Sequence, residues 1–448
     1  MSYQDFEEYE RDDELLEKRR QRRLEMKRKR RMQQRIILGV LAVVLILVVV
    51  LVVKGCDGKK PEEPKQEELE TIVPPPVEEE APPPEPDRKV TLAAVGDIMF
   101  YDTQLMDAMQ EDLSYSFDEC FLAISAYTNS ANLTVGNLEL NMTGKEPYTG
   151  KPYWNAPESL ATKLSEIGFD VMLTANTYSI TNGINGLVNT AKFLNAAGID
   201  NVGTHISDPD ETAGAGAIVR EINGIKIAFI GFTKGVDGMK LPANNEYAVD
   251  LLYSDYTGTY SKIDTSSILD RIDDAKALKP DLIVAMCHWG GEFDLEPTDS
   301  QKDIADLMFE NGVDVILGSH SHIVGPMGYV DVETVDGEKK TCFIAYSLGN
   351  FISDMDKDYS MESVILNLEF TKSGETGKTT VSNANYTPLY ILDAGEGADV
   401  RFEILPIREA IKTKLFEQYE QNMLEAIEHL AANTQLDPAN PVDFDSGK

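Results

Sequence analysis

His320 and His322 stand on a segment that leaves an apolar stretch, residues 313–317, which is predicted as a buried strand. Two imidazoles two residues apart on such a loop point the same way, so they can serve two adjacent metal positions or hold one metal from one side. His288 likewise follows an apolar stretch, residues 281–287. The carboxyl ends of strands are where open α/β sheets bind ligands. Three of the five histidines share this placement, which favours a common metal site over satisfied loop histidines.

The earlier predicted strands also end on groups that can bind metal. Residues 90–95, 131–135 and 170–174 are followed by Asp97, Glu139 and Asn176. A single Gly-Asp pair is more often a turn than a ligand, but six such groups in order at strand ends indicate ligands. With the three imidazoles they form a mixed oxygen and nitrogen set. Such a set suits two divalent ions such as Mn, Zn or Fe, with Glu139 able to bridge them.

In the part of the chain from about residue 89 onward, predicted strands and helices alternate at first, whereas predicted strands follow one another near the end. The residues 217–232 are predicted as a hairpin because Asn223-Gly224 is a typical two-residue turn. We therefore expect an α/β domain with a mostly parallel, helix-covered sheet joined to a second, more antiparallel sheet. Helices are predicted for residues 157–167, 186–197, 266–278, 300–311 and 415–432, and late strands for 342–346 and 363–370.

The N-terminal region has the pattern of a membrane anchor. Residues 1–35 end in a cluster of Lys and Arg, and residues 36–53 contain only Ile, Leu, Val, Ala and one Gly. An apolar helix of that length spans about 27 Å, enough for the hydrocarbon core of a bilayer. The basic cluster predicts a cytoplasmic tail at 1–35, a transmembrane helix at 36–53 and the rest outside the cell. A cleaved signal peptide is disfavoured because no small-x-small site follows, and a lipid on Cys56 is disfavoured by Lys54.

The chain beyond the anchor divides by composition. Residues 54–88 are rich in Pro and Glu and are expected to form an extended extracellular spacer, with a reach on the order of 90 Å. Residues 89–410 are predicted as the globular domain, and residues 411–448 as a C-terminal helix and disordered tail. The net charge of −35 argues against a nucleic-acid partner, because the basic residues cluster before the anchor. Cys287 and Cys342 lie in apolar strands and are predicted to be buried thiols.

The chain contains a set of collinear motifs: VGDIM at 95–99, NLE at 137–139, FDV at 169–171 with AN at 175–176, NGIKIAF at 223–229, HWGGE at 288–292, GSHSH at 318–322 and YSLGNF at 346–351. These motifs resemble the CapA family of bacterial poly-γ-glutamate capsule-synthesis proteins, which is similar to the calcineurin-like metallophosphoesterases. The resemblance covers about residues 90–407. It implies a four-layer fold, with two central mixed sheets flanked by helices, and metal ligation by Asp97, Glu139, Asn176, His288, His320 and His322.

One block departs from the family pattern. Where the family reads Ala-Asn-Asn-His-x-x-Asp, this chain has Tyr178 at the histidine position and Thr181 at the aspartate position. In related phosphoesterases that histidine protonates the leaving group, and a phenol with a pKa near 10 is a poor acid at neutral pH. Tyr178 is either a weakened catalytic residue or a packing residue. Glu292 and Asn350 lie in family blocks and are further candidate site residues, with loop-fixing hydrogen bonds as the alternative.

Two functions follow from these observations. The first is a membrane-anchored, extracellular metal-dependent hydrolase or transferase that acts on poly-γ-glutamate or another cell-envelope polymer. The second is a non-catalytic metal- or polymer-binding subunit, partnered by the membrane subunits of a polymer synthesis and export complex. The retained ligand set favours the first, and Tyr178 with Thr181 favours the second. The two remaining histidines, His205 and His429, are expected to be exposed to solvent.

Overall fold

The computed structural model describes residues 85–211, 214–398, 400–414 and 416–438. The predicted cytoplasmic tail, anchor and nearly all of the spacer lie outside these residues, as does the predicted disordered end of the chain from residue 439. Within the described ranges, no helix is long and apolar enough to cross a bilayer. The elements named below all belong to one compact unit.

Fourteen strands and nine α-helices are present in the described residues. The strands are β1 Arg88–Ile98, β2 Leu133–Leu138, β3 Val171–Leu173, β4 Asp200–Val202, β5 Ile218–Ile222, β6 Ile225–Thr233, β7 Leu282–His288, β8 Val315–Ser319, β9 Met327–Glu333, β10 Lys339–Ala345, β11 Asn350–Ile352, β12 Glu362–Lys372, β13 Thr379–Asp393 and β14 Phe402–Pro406. The helices are α1 Asp102–Ala108, α2 Asp118–Phe121, α3 Ser125–Thr128, α4 Ser159–Glu166, α5 Gly183–Ala196, α6 Thr265–Ala277, α7 Asp299–Glu310, α8 Ile407–Thr413 and α9 Glu420–Thr434.

The strands form two mixed sheets. The first has the order β14-β13-β12-β1-β2-β3-β4, with β11 paired to the end of β1. In it β1 to β4 run parallel and β12 to β14 are antiparallel to their neighbours. The second has the order β5-β6-β7-β8-β10-β9, with parallel strands in the middle and an antiparallel strand at each edge. The expected division into one mostly parallel and one more antiparallel sheet is wrong, because β12 to β14 extend the first sheet beside β1.

Three buried clusters separate four layers. Side chains along β1 alternate between the two faces of the first sheet, as strand geometry requires. Leu92 and Ala94 face the core between the two sheets, whereas Ala93 and Val95 face the core beneath helices α1 to α5. A third core lies between the outer face of the second sheet and helices α6 and α7. Two mixed sheets flanked by helices are consistent with the metallophosphoesterase-like fold that the sequence predicts.

Local signals explain where several elements begin and end. Helix α7 starts at a capping box, in which the Thr298 hydroxyl accepts a hydrogen bond from Gln301 N (3.2 Å) and Gln301 Oε1 accepts one from Thr298 N (2.9 Å). The hairpin of β5 and β6 turns at Asn223 and Gly224, whose φ angles of +53° and +72° are those that a type I′ turn needs. The predicted hairpin is therefore confirmed.

The predicted C-terminal helix is present as α9, although it begins at Glu420. Its buried face carries Met423, Ala426 and Leu430, which are fully buried and belong to the same core as the facing surfaces of the two sheets. The helix contacts β12, β13 and β9. This helix therefore closes one margin of the core between the sheets.

Candidate metal centre

Two glycines allow the strand ends that carry the site to approach the same backbone segment. A Cβ added to Gly96 would lie 1.9 Å from the carbonyl oxygen of Gly349, and one added to Gly318 would lie 2.0 Å from that of Tyr346. No side chain fits at either position, so β1 and β8 can pass closely against the chain that leads into β11. His320 N consequently lies 3.3 Å from Asp97 Oδ2, to which it donates a hydrogen bond.

The six residues predicted as metal ligands come together at the carboxyl ends of the parallel strands, from both sheets. All six are at most 3% exposed. A seventh residue, Asn137 of β2, lies among them and is 2% exposed. We call this set the strand-end cluster: Asp97, Asn137, Glu139, Asn176, His288, His320 and His322.

Within the strand-end cluster, two groups of side chains have the geometry to hold an ion. One group is Asp97, Glu139 and His288, the other is Glu139, His320 and His322, and the ligand atoms of each lie within 4.8 Å of one another. Glu139 belongs to both groups. The structure therefore contains possible metal-binding groups at the predicted place, and the number of ions stays a prediction.

Two atoms of the strand-end cluster lack a hydrogen-bond partner among the described residues. These are Glu139 Oε2 and His320 Nε2, and both are buried. An unsatisfied buried polar atom costs about 1–3 kcal/mol, so such atoms are rare in a fold that needs nothing further. A carboxylate oxygen and an imidazole nitrogen are ordinary ligands of divalent transition metals. The residues present therefore fit a divalent cation.

The charges of the cluster are arranged around His322. Its Nδ1 lies 3.1 Å from Asp97 Oδ2, and although burial lowers the pKa of His322, the Asp97 hydrogen bond and the Glu139 charge raise that pKa to about 9. Burial raises the pKa of Asp97, but the His322 hydrogen bond and charge bring that pKa below its ordinary value. Burial and the positive charge of His288 hold the pKa of His320 well below its ordinary value. The Asp97 contact thus favours the charged form of His322, whereas burial favours the neutral form of His320.

The backbone of the two histidines on the β8 loop is held in an uncommon conformation. His320 and His322 have φ angles of +97° and +60°. Side-chain-bearing residues rarely adopt positive φ, and each such position costs on the order of 1–3 kcal/mol. Strained positions of this kind cluster at functional sites. Here both strained residues present their imidazoles to Glu139.

Asn137 is the site residue that the sequence reasoning missed, although it stands in a quoted motif. Its Nδ2 donates to Asp97 Oδ1 (2.6 Å) and lies 3.2 Å from His288 Nδ1, and its Oδ1 accepts a hydrogen bond from Asn176 Nδ2 (3.1 Å). Asn137 and Glu139 are two residues apart along an extended chain, so they share a face. That period of two was the available signal.

Asn176 and Asn350 differ in how they relate to the predicted ligands. Asn176 Nδ2 donates to Leu138 O (2.8 Å), and its Oδ1 accepts a hydrogen bond from Tyr178 N (3.1 Å). Asn350 of β11 is fully buried, and its Oδ1 lies 2.9 Å from His322 Nδ1. Asn350, predicted as a site residue, therefore orients a predicted ligand and sits behind it.

Tyr178 packs in an aromatic group beside the cluster. Its ring stacks on Trp154 (centroids 4.9 Å apart, interplanar angle 29°), and Tyr101 meets the Trp154 ring edge-on at 4.9 Å. Burial, together with the charges of Glu139 and Glu292, raises the pKa of Tyr178 above its ordinary value. The same two causes, with Asp354, raise the pKa of Tyr101 to about 12. Both phenols stay protonated at neutral pH.

Glu292 lies on the loop that follows His288, and its side chain is exposed. It is close enough to the site for its charge to raise the pKa of Tyr101 and Tyr178. The structure places it at the rim of the strand-end cluster rather than among the buried groups. Its predicted catalytic role stays a prediction.

The remaining two histidines belong to other contacts. The expectation that His205 is exposed is wrong: its side chain is 10% exposed, and its Nε2 lies 2.7 Å from Asp250 Oδ2. His429 on α9 is 43% exposed and lies 2.7 Å from Glu362 Oε1. The predicted buried thiols are confirmed, because Cys287 and Cys342 are buried and unpaired.

The family model described as "Bacterial capsule synthesis protein PGA_cap" matches residues 91–355, more than half of the chain. The chain belongs to this bacterial capsule synthesis family. Every residue of the strand-end cluster and all of the candidate catalytic residues lie inside the matched range. The family membership that the sequence motifs predicted is confirmed.

Two relatives from Bacillus agree with the assignment to the bacterial capsule synthesis family. The chain is 26% identical over 296 residues to "Capsule biosynthesis protein CapA" of Bacillus anthracis, covering 64% of this chain and 66% of that protein. It is 27% identical over 313 residues to "PGA biosynthesis protein CapA" of Bacillus subtilis (strain 168), covering 69% of this chain and 73% of that protein. A solved phosphatase structure from Mycoplasma pneumoniae aligns with a TM-score of 0.37 and 14% identity, over 67% of this chain and 94% of that one.

Proposed function

We propose that this chain is a membrane-anchored CapA-like protein that acts outside the cell in the biosynthesis of a capsule or envelope polymer such as poly-γ-glutamate. We further propose that it works through a divalent-metal site in the strand-end cluster. The observation that carries the proposal is Glu139, which is shared by two ligand groups and has a buried oxygen without a partner among the described residues. Membership of the capsule synthesis family supports the proposed role in polymer biosynthesis.

The metal would be held by Asp97, Glu139, Asn176, His288, His320 and His322. Bound there, divalent ions such as Mn, Zn or Fe would polarise a substrate carbonyl or phosphoryl oxygen and lower the pKa of water. The chain's own part is positioning. Asn350 fixes the ring of His322, and Asn137 holds Asp97 and Asn176 in place.

The reaction class that this site supports is metal-assisted hydrolysis or transfer at an ester or amide of the polymer. Proton delivery to the leaving group is the weak step, because Tyr178 replaces the histidine of the related phosphoesterases. Burial and the charge of Glu139 raise the pKa of Tyr178, so its phenol is a weak proton donor at neutral pH. Loss of a general acid typically lowers a rate by about 10²–10⁴-fold.

A specific observation favours the second candidate, a non-catalytic metal- or polymer-binding subunit of a synthesis and export complex. The Tyr178 ring is stacked on Trp154, which itself packs against Tyr101. A side chain fixed in this way behaves as part of an aromatic wall and not as a mobile acid. In this case the membrane partners of the chain would carry out the chemistry.

One experiment separates the two candidates. Full-length protein is purified, its Mn, Zn and Fe contents are measured by elemental analysis, and it is assayed on generic phosphodiesters and γ-glutamyl peptides. Metal with turnover supports the enzyme, and metal without turnover supports the binding subunit. Protein that takes up no divalent metal under any loading condition contradicts the enzyme and the metal-binding subunit, and leaves only a subunit that binds the polymer.

The location is tested separately. The basic residues before the apolar segment 36–53 support a cytoplasmic N-terminus by the positive-inside rule, and the spacer 54–88 would hold the domain away from the membrane. Protease added to intact protoplasts should remove the domain and spare the N-terminal tail. Protection of the domain would reverse this topology and remove the extracellular role.

A further inference from the structure

Lys234 lies at the same edge of the second sheet as the strand-end cluster. It follows Thr233, the last residue of β6, which is paired in register with His288 of β7. Lys234 N donates a hydrogen bond to His288 O (2.8 Å). A cationic side chain thus starts directly beside a predicted metal ligand, although nothing in the sequence motifs singles it out.

The ammonium group of Lys234 is held by neutral partners. Its Nζ donates to Gly290 O (2.7 Å) and lies 5.1 Å from the ring centroid of Tyr260. A lysine ammonium has three hydrogen-bond donors, so this contact leaves donor capacity for another partner. The side chain is therefore fixed in direction without a direct ion pair, although the charges of Glu292, Asp294 and Glu139 act on it from farther away.

This lack of an ionic partner sets Lys234 apart from comparable lysines. Within the described ranges it is the one partly buried lysine with no carboxylate oxygen within 4.0 Å. A partly buried charge without a partner is costly, and structural lysines are normally paired. The partly buried lysines that have a carboxylate partner are Lys163, Lys226, Lys340 and Lys372.

Electrostatics make the position of Lys234 informative. Its ammonium donates a hydrogen bond to the carbonyl oxygen of Gly290, two residues beyond the predicted ligand His288. A cation at that range opposes the binding of divalent metal, because like charges repel. An anionic group that bound between the ammonium and the metal would be attracted to both.

We propose that Lys234 is the anion-binding residue of this site and receives a carboxylate or phosphate group of the substrate next to the strand-end cluster. The inference rests on the proposed function, since it assigns a substrate-binding residue to the same site. The anion has two possible sources: the free carboxylates of a γ-glutamyl unit, or a phosphate. Both offer oxygens that accept charge-assisted hydrogen bonds from an ammonium.

The test is calorimetric titration of full-length, metal-loaded protein with inorganic phosphate and, separately, with γ-glutamyl-glutamate. Lys234→Met should weaken binding of at least one probe by about 10-fold or more, the usual size of a hydrogen bond to a charged group. Metal content should not fall. Lys234→Gln is measured beside it in case the Met variant folds poorly, and Lys234→Arg should retain most of the affinity.

The matched control is Lys339→Met. Lys339 starts β10, at the opposite end of the parallel strands, and its side chain is 83% exposed. The substitution removes the same charge and should leave the affinity for both probes unchanged. An equal loss in this control would assign the effect to net charge and overturn the proposal.

The remaining outcomes are distinct. The probe whose binding depends on Lys234 identifies the source of the anion. Unchanged binding in Lys234→Met and Lys234→Gln, or no binding of either probe by the wild type, overturns the role of Lys234. If the wild type takes up no metal, the proposed function fails. Lys234 is then judged by the same titrations on metal-free protein, where Lys234-dependent binding supports its role and the absence of such dependence refutes it.

Discussion

The strand-end cluster and a second buried cluster of charged side chains, both within the described residues, differ in whether their buried polar atoms have partners. In the second, which we call the Arg271 cluster, one guanidinium serves three carboxylates. Arg271 Nε donates to Asp250 Oδ1 (2.9 Å), Nη1 to Asp274 Oδ2 (2.5 Å) and Nη2 to Asp210 Oδ1 (2.6 Å). His205 completes it by its contact with Asp250. Among the described residues, no side-chain atom of this cluster is buried without a partner.

The strand-end cluster contains carboxylates and imidazoles but neither Arg nor Lys, and two of its buried atoms have no partner among the described residues. The number of buried charges therefore does not distinguish a structural cluster from a candidate site. What distinguishes them is whether every buried polar atom has a hydrogen-bond or ion-pair partner. In the Arg271 cluster, burial lowers the pKa of Arg271, but the charge of Asp250 and the hydrogen bonds raise that pKa above its ordinary value. Such a cluster is complete without a further ligand.

The largest expected effect is on metal content. The double change His320→Ala with His322→Ala removes both imidazoles of one ligand group, so at least one ion should be lost. His205→Ala is the matched control, because it removes a buried histidine from the Arg271 cluster and should leave the metal content unchanged. Elemental analysis of the purified proteins gives the measurement. Full metal occupancy in the double variant would show that the site is misassigned.

The opposite pattern is expected when the Arg271 cluster is broken. Arg271→Met leaves Asp250 and Asp274 without their main partner, and removal of one partner from a buried ion pair typically costs about 3–5 kcal/mol. The midpoint of urea unfolding should fall strongly while the metal content stays at the wild-type level. Lys302→Met breaks the exposed pair with Asp299 and should change stability by less than about 1 kcal/mol. A loss of metal in Arg271→Met at unchanged stability would contradict the distinction between a structural Arg271 cluster and a metal-binding strand-end cluster.

The parts of the fold that sequence reasoning predicted correctly are those set by local patterns. Alternation along β1 and the Asn223-Gly224 turn each depend on neighbouring residues, so the core faces and the hairpin could be read directly. The sheet to which β12 belongs depends on its pairing with β1, where Ala94 lies opposite Leu366. An alternating strand looks the same in either sheet, so the sequence alone could not make that assignment.

The candidate site likewise contains residues that local patterns predict and residues that depend on contacts between distant parts of the chain. Residues at the ends of strands could be predicted as neighbours because parallel strands share an edge, and the structure brings all six predicted ligands together. Asn137 was missed because its role depends on side chains from three other strands or loops. His205 was misjudged because its partner, Asp250, lies 45 residues away. The contact of His205 with Asp250 leaves no periodic signal in the sequence, whereas the two-residue spacing of Asn137 and Glu139 was such a signal.

A smaller effect on metal affinity is expected from Asn350, which lies behind the predicted ligand His322. Asn350→Ala removes the oxygen that lies 2.9 Å from His322 Nδ1, and loss of such an orienting group typically lowers metal affinity about 10–100-fold. Competition with a chelator measures that affinity. Asn385→Ala is the control, since Asn385 accepts a hydrogen bond from Asn367 in a strand pair away from the site. Equal affinity in the Asn350 variant and the wild type would remove Asn350 from the site.

The smallest expected effect concerns turnover and depends on Tyr178. The change Tyr178→His with Thr181→Asp restores the residues that related phosphoesterases use to protonate the leaving group. Thr181 is half-buried, and its Oγ1 is buried without a partner among the described residues. If the wild type binds metal but hydrolyses phosphodiesters poorly, the double variant should be faster by about 10-fold or more on substrates with poor leaving groups.

An activated nitrophenyl ester provides the control for this change, because its leaving group departs without protonation and its rate should rise little. The ratio of the two rates therefore isolates proton transfer from any general effect on folding or metal content. The opposite result is equally informative. If the wild type already turns over a poor-leaving-group substrate efficiently and the double change lowers that rate, Tyr178 is part of a working site. The strand-end cluster would then belong to a competent enzyme of altered specificity, and the non-catalytic alternative would fall.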